Sequence, residues 1–322
     1  MAVLSNDRKP PTGVRPGRAT WFRRFAGRFS VGDNRPKSGR FTPYLFILPG
    51  FIFYGAFVLV PIGATVRLSF MKWNGLLPAV WVGFENYAKL ITDPHTWAAF
   101  RVSATFIFFA CVLPVLAALL LTGGIARAKI RGLSAFRVLY FLPYTIAHAV
   151  VAIAWRWLYA TDGSINQLVG LIFGKDARVA VLGDFKLALP ALGLVSFWML
   201  FGFVTVMLLS GTQHIPHELY EAARVDGAGP IREFFAVTLP GVRHELRVSL
   251  VMTFITAIRM FDLPLVANAG GPGYQSTTPA LMMYRAVFVN GDIGRGAALA
   301  ILITIVVAIG VIAINKILAQ ED

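Results

Sequence analysis

Charge and cysteine are scarce in this 322-residue chain. Only 14 % of its residues are charged, against about a quarter in a soluble globular chain, and 57 % are hydrophobic. That balance excludes an ordinary water-soluble domain and points to a membrane. The single cysteine, Cys111, lies inside an apolar run. No disulfide framework can form within the chain, and packing accounts for Cys111 better than reactivity does. No Gly-x-x-x-x-Gly-Lys-Ser/Thr stretch occurs, so the chain cannot supply that kind of phosphate cradle; Gly174-Lys175 lacks both the upstream glycine and the hydroxyl. His214-x-x-His217 has no carboxylate or thiol at suitable spacing in a defined helix, and no nucleophile–base pair stands out. Neither a metal centre nor a catalytic residue set is expected.

The formal charge of +14 does not point to nucleic acid. Ten of the 30 basic residues fall in the first forty positions, from Arg8 and Lys9 to Lys37 and Arg40, among Pro10, Pro11, Pro16 and Pro36. Residues 1–40 hold too little apolar surface to fold alone. They read as a disordered cytoplasmic tail that fixes orientation and rests on anionic lipid; a regulatory or partner-binding tail is the alternative. The tail does not read as a signal peptide, because the first apolar run begins only near Tyr44 and is long enough to span.

Six apolar runs follow: Tyr44 to Val66, Ser103 to Ile125, Leu139 to Tyr159, Leu187 to Leu209, Val248 to Leu265 and Gly296 to Ile317. A helix of about 20 residues is about 30 Å long and matches the hydrocarbon thickness of a bilayer. Residues 41–322 therefore read as one all-α, multi-pass membrane domain. Basic residues in the loops set its orientation. Arg127, Lys129, Arg131 and Arg137 in the second loop, Arg224, Arg232, Arg243 and Arg247 in the fourth, and Lys316 at the end of the sixth run join the tail on one side. The other side holds fewer, among them Lys72, Lys89, Lys175, Arg178 and Arg295. The imbalance places both termini in the cytoplasm.

Two outer segments look partly structured. Gly83-Phe84-Glu85-Asn86-Tyr87 leads through Ala88 to Ile91, and Asp93-Pro94 pairs a capping residue with a helix-opening proline. A short amphipathic helix on the outer surface is expected before the second span, with Trp97 and Phe100 at the interface. Gly270-Gly271-Pro272-Gly273 needs unusual backbone angles and reads as a tight re-entry turn.

The fourth loop, about residues 211–246, is a polar interruption between two apolar runs. Pro216 can open a helix, Glu218 and Glu221 favour its positive end, and Gly227 and Gly229 end it. Pro230 then opens a second helix, Ile231 to Val237, until Leu239-Pro240 stops it. Two short helices at an angle, joined by a glycine corner, follow from this punctuation. Small side chains on the first one suit close approach by another surface; an amphipathic helix lying among lipid headgroups is the alternative.

Glu221-Ala222-Ala223, three residues, Gly227, then Leu239-Pro240 resembles the Glu-Ala-Ala motif in permease subunits of binding-protein-dependent ABC importers. Val237 stands where that pattern has isoleucine, and Asp226-Gly227-Ala228 resembles the Asp-Gly-Ala usual in this loop. Gly83-Phe84-Glu85-Asn86-Tyr87, Tyr140-Phe141-Leu142-Pro143, Phe261-Asp262, and Gly270-Gly271-Pro272 with Thr277 or Thr278 are similar to the carbohydrate-importing branch, the maltose- and glycerol-phosphate-type permeases. The resemblance covers roughly Phe41 to Ile317.

The resemblance implies a six-transmembrane-helix permease bundle with a cytoplasmic coupling-helix loop, in a prokaryotic plasma (inner) membrane. It implies a second permease subunit, two copies of an ATPase subunit docked on such loops, and an extracytoplasmic solute-binding protein. It implies no cofactor on this chain, with ATP and Mg on the partner ATPase. Glu221, Ala222, Ala223, Asp226, Gly227, Ala228, Leu239 and Pro240 are the expected coupling residues, with Glu221 and Asp226 supplying polar contacts and corner geometry.

Polar residues inside spans are costly and usually face a cavity. Arg259 and Asp262, three apart, could share a helix face and pair. They either fix packing as an ion pair or line the solute path, with Thr253, Thr256 and Asn268 extending that lining. Trp198, Phe201 and Tyr284 could stack on sugar rings. Gly294, Gly296, Ala298 and Ala300 suit close helix packing at the start of the sixth span. An ion-coupled secondary transporter subunit is the other reading; it accounts for six spans and an intramembrane Arg/Asp pair but not for the loop.

Overall fold

The computed structural model describes residues 42–125, 133–174 and 178–319. The basic tail, Arg127, Lys129, Arg131 and Lys175 lie outside the described residues, as do the expectations placed on them. The chain divides into two compact units, residues 1–59 and 60–322. In the first, the described residues form a helix, Thr42–Tyr54, and a π-helical turn, Gly55–Leu59. Its aromatics Tyr44, Phe46, Phe51 and Phe57 are exposed, as side chains that face lipid are.

Among the described residues, four helices can cross a membrane by length and composition: Tyr44–Ser69, Pro94–Gly124, Ala188–Thr212 and Ile293–Ile317. Two bent pairs, Ala135–Thr145 with His148–Leu158 and Arg243–Ile258 with Asp262–Asn268, bring the number to six if each pair is one span. The fold is thus the all-α membrane bundle that the apolar runs require, with two spans that are not straight.

The third span bends by 94° at Ile146 and Ala147, so Leu139 to Tyr159 is not one crossing helix. Pro143 lacks an N–H and its ring disfavours continuation. The Thr145 hydroxyl donates to the Leu142 carbonyl at 2.8 Å, and the Ile146 N–H donates to the Pro143 carbonyl at 3.3 Å, closing the helix there. The fifth span bends by 42° between Ile258 and Asp262.

The surface helix before the second span is Glu85–Thr92 alone. Asp93 caps a new helix by accepting from the His95 N–H at 2.9 Å, and Pro94 opens it. Trp97 and Phe100 therefore belong to the first turns of the second span, which starts nine residues earlier than its apolar run; hydropathy reads apolarity, whereas the cap and proline set the start. The Lys89 ammonium, 2.6 Å from Glu85, holds the Glu85 carboxyl below its ordinary value chiefly by hydrogen bonding. Ahead of the fourth span, the N–H groups of Lys186 and Leu187 do the same to Asp184.

The main core forms where the second, fourth and fifth spans meet the second half of the third. Phe106, Val151, Leu192, Val195, Met199, Ala257 and Leu263 are buried together there. A second cluster, Val115, Val204, Leu208, Val242 and Leu246, supports the loop end of the bundle. Cys111 is free and buried, with its thiol 3.7 Å from the Leu250 carbonyl. Gly202 allows the third span to cross the fourth, because a Cβ there would strike the Tyr140 carbonyl oxygen. Gly294, Gly296 and Ala298 are buried at the head of the sixth span.

Several helices carry wide π turns: Phe108–Val112 in the second span, Phe234–Thr238 in the fourth loop and Arg285–Val289 before the sixth span.

Candidate functional site

The fourth loop folds into two short helices around a glycine corner. Pro216 stands at the cap of His217–Val225, and Gly229 and Pro230 open Pro230–Glu233. The corner is a Schellman closure. Gly227, at φ 75°, donates to the Arg224 carbonyl at 3.0 Å, and Ala228 donates to the Ala223 carbonyl at 2.9 Å. Asp226 is the C-cap residue, its own N–H bonded to the Ala222 carbonyl at 3.0 Å.

Leu239-Pro240 does not stop the second helix as its proline suggests. The backbone widens into the π turn Phe234–Thr238, and Leu239–Gly241 adds one more turn before Val242 breaks it. The wide turn sits over the residues whose carbonyls the Pro240 ring would crowd in an ordinary α-helix.

Glu221, Ala222, Asp226, Gly227 and Pro240 are exposed, and Ala223, Ala228 and Leu239 are half-buried. Glu221 and His217 face one another at 3.6 Å, an ion pair whenever the histidine is protonated. Tyr220 points inward, its hydroxyl 3.3 Å from that of Thr238. Arg224 Nε lies 3.4 Å from an oxygen of buried Glu233, joining the two short helices. Val225 and Ile231, on either side of the corner, are 87 % and 75 % exposed, and Leu219 and Phe235 are also exposed. Apolar side chains on both short helices thus face outward from a loop that is otherwise polar.

None of these last features was evident from the motif spacing. Arg224 and Glu233 are nine apart across a corner whose angle decides whether they meet. The exposure of Val225 and Ile231 could have been read from β-branched residues flanking a glycine turn in a charged segment.

A groove of about 780 Å³ runs among the fifth and sixth spans and the segment before the sixth. It brings Arg259 and Tyr284 together with Thr65, Phe261, Phe288 and Thr304. Tyr284 sits between Phe261 and Phe288, each ring centroid 5.1 Å away. The other expected path residues lie elsewhere. Thr256 turns its hydroxyl to the Met252 carbonyl, and buried Thr253 turns its own to Ser249. Asn268 braces the glycine turn by donating to the Gly271 carbonyl at 2.6 Å and accepting from the Ser276 hydroxyl at 2.9 Å. Trp198 stacks edge-on with Trp155 at 5.6 Å, and Phe201 packs on Phe197 and Tyr140.

Arg259 and Asp262 do not pair, and no ion pair between them occurs among the described residues. The helix ends at Ile258 and restarts at Asp262, so the three-residue spacing does not put them on one helix face. Both are exposed.

A second cavity of about 790 Å³ lies at the heads of the second and sixth spans, lined by Asp93, His95, Tyr274, Arg285, Asp292 and Arg295. Asp93 pairs with Arg295 there, and Arg285 lies over the Tyr274 ring, 5.6 Å from its centroid. Among the described residues, no group of three or more His, Cys, Asp or Glu side chains could hold a metal ion.

The fold defines a helical membrane protein with a two-helix loop between its fourth and fifth spans, and the matching family makes it a permease, a transport component rather than an enzyme. Residues 39–321 match the family described as binding-protein-dependent transport system inner membrane component, and the chain belongs to it. A probable ABC transporter permease of Bacillus subtilis, YurN, is 33 % identical over 270 residues, 83 % of this chain and 92 % of that protein. The trehalose/maltose transport system permease protein MalF of Thermococcus litoralis is 29 % identical, covering 82 % of this chain and 89 % of its own length. A bacterial ABC transporter involved in import of the acidic polysaccharide alginate has a chain of the same fold, with a TM-score of 0.71 at 22 % identity over 86 % of this chain and 95 % of that one.

Proposed function

We propose that the chain is the membrane-spanning subunit of an ATP-driven importer that takes up a sugar or sugar-like solute delivered by an extracytoplasmic binding protein. It works beside a second permease subunit and two ATPase subunits, sits in a prokaryotic inner membrane, and keeps both termini in the cytoplasm. ATP and Mg belong to the ATPase partner, and this chain binds no cofactor.

The observation that carries this reading is the loop, where Glu221, Ala222, Asp226 and Gly227 share an exposed corner with the apolar tips Val225 and Ile231. Apolar residues exposed in a charged segment suit a partner's groove, and the small side chains allow close approach. ATP closing the ATPase pair would carry the docked helices with it and swing the spans between inward-open and outward-open states. Arg224, Arg232, Arg243 and Arg247 near the loop support its cytoplasmic side. The sugar class draws on relatives named for diacetylchitobiose, trehalose/maltose and sn-glycerol-3-phosphate transport. Arg259 and Tyr284, facing one groove, are the path residues retained.

Copurification tests the reading. Expressed with its ATPase and second permease, the chain is expected to retain both through purification in detergent. Uptake by the chain alone in liposomes, driven by an ion gradient, would overturn it in favour of a secondary transporter; the Arg259–Asp262 pair that would have suited that alternative is not formed.

A further inference from the structure

The loop's glycine corner is not stiffened by packing. Nothing lies within 4 Å of where a Cβ would stand on Gly227 or Gly229. The Schellman bonds close the end of the first helix but do not reach the second. The side-chain contacts that reach across include the Tyr220 hydroxyl to that of Thr238, and Arg224 Nε to Glu233. The second is charged and asymmetric. Glu233 is 2 % exposed, whereas the Arg224 side chain is half exposed. A carboxylate so buried depends on its partners, and removing one leaves a charge in a poor solvent. Neither residue belongs to the motif that carries the family resemblance.

We propose that Glu233, acting through Arg224, is a positioning residue that makes the two short helices move as one body and so sets how much of a docked ATPase's motion reaches the fifth span. The inference rests on the docking reading above. A partner gripping Val225 and Ile231 pushes on the corner. If the corner flexes, the first helix swings and the push is lost. The Arg224–Glu233 contact closes that ten-residue segment and removes the freedom. From Glu233 the chain runs through Phe234–Thr238 and Leu239–Gly241 into Arg243–Ile258, interrupted at the buried Val242 alone, so a push delivered at Glu233 travels into the span.

The test uses the chain assembled with its second permease and ATPase pair in lipid nanodiscs. Cys111→Ser removes the native thiol, and spin labels go on Glu218 and His244, both exposed and outside the residues taken to grip the partner. ATP with vanadate is the probe, so no solute is needed. In the otherwise unaltered chain, the label-to-label distance distribution is expected to be narrow and unmoved by ATP and vanadate. Glu233→Gln and Arg224→Gln are each expected to broaden it and make it shift on adding the probe, while Arg224→Lys keeps it narrow. The double variant is expected to be no broader than the broader of the two single ones, since both changes remove the same Arg224–Glu233 contact.

A distribution as narrow and as unresponsive in the Gln variants as in the unaltered chain would overturn the proposal, and so would a double variant broader than both singles. If Glu233→Gln fails to accumulate, Arg224→Gln at the half-exposed end decides alone. ATPase retained with an unchanged distribution overturns the positioning role only. ATPase that the unaltered chain does not retain overturns the docking reading, and the inference with it.

Discussion

Asp93 and Arg295, 202 positions apart, join the heads of the second and sixth spans. Asp93 does two things at once. One carboxylate oxygen caps the second span through the His95 N–H, and the other takes the Arg295 guanidinium. Replacing Asp93 with Ala removes both and is expected to destabilise the protein by about 1–2 kcal/mol. Asp93→Asn keeps an acceptor for the cap, so it should fall between Ala and the native residue. The midpoint of thermal unfolding in detergent measures the order.

Gly227 holds the loop corner at φ 75°. Gly227→Ala should cost about 1 kcal/mol for a left-handed residue with a Cβ and leave the loop able to dock. Gly227→Pro cannot adopt that angle and should break the corner. The expected result is a protein that still inserts and assembles but hydrolyses ATP without uptake, measured side by side in proteoliposomes. Normal uptake by Gly227→Pro would remove the corner from the coupling role.

The six apolar runs were legible because lipid demands long unbroken apolarity, a demand that composition alone reveals. Asp93-Pro94 was legible as a helix start, since a capping residue and a proline are local signals, but not as the start of the second span, which the apolar run placed at Ser103. The bends at Ile146 and between Ile258 and Asp262 were not, because hydropathy carries no information about direction. Pro143 marks the first bend only once the Thr145 hydroxyl and Ile146 N–H are seen closing the turn. The loop's two-helix form followed from Pro216, Gly227 and Pro230. The fate of Leu239-Pro240 did not, because a π turn has no sequence signature comparable to a cap. The Arg259–Asp262 pair failed for a related reason: helical spacing was applied across a break.

The same break gives a quantitative expectation. With Arg259 and Asp262 unpaired, Arg259→Ala and Asp262→Ala should act independently. Their effects on uptake and on thermal stability should add, with an interaction energy below about 0.5 kcal/mol in a double-mutant cycle. A larger value would mean that the two charges meet in some state of the transport cycle. Arg259→Ala, which changes the groove wall, should impair uptake more than assembly.

Gly202 lies against the Tyr140 backbone where the third and fourth spans cross. A Cβ must push the two helices apart, and backbone cannot step aside as a side chain tip can. Gly202→Ala is expected to cost about 1–3 kcal/mol, with Gly202→Leu failing to accumulate in the membrane. Quantifying folded protein by size-exclusion profile and thermal midpoint separates the two.

The wide turns have a consequence for length variation. Each holds one residue more than an α-turn would, so side chains before and after it differ in phase by about 100° from a continuous helix. Deleting one residue inside Phe108–Val112 would let the second span close into ordinary α-helix with both flanks on the faces they now present, whereas the same deletion in a continuous α-helix would turn one flank by about 100°. These segments are therefore places where a one-residue deletion keeps both the helix and its packed faces, and related chains of different length can be aligned through them without opening a loop.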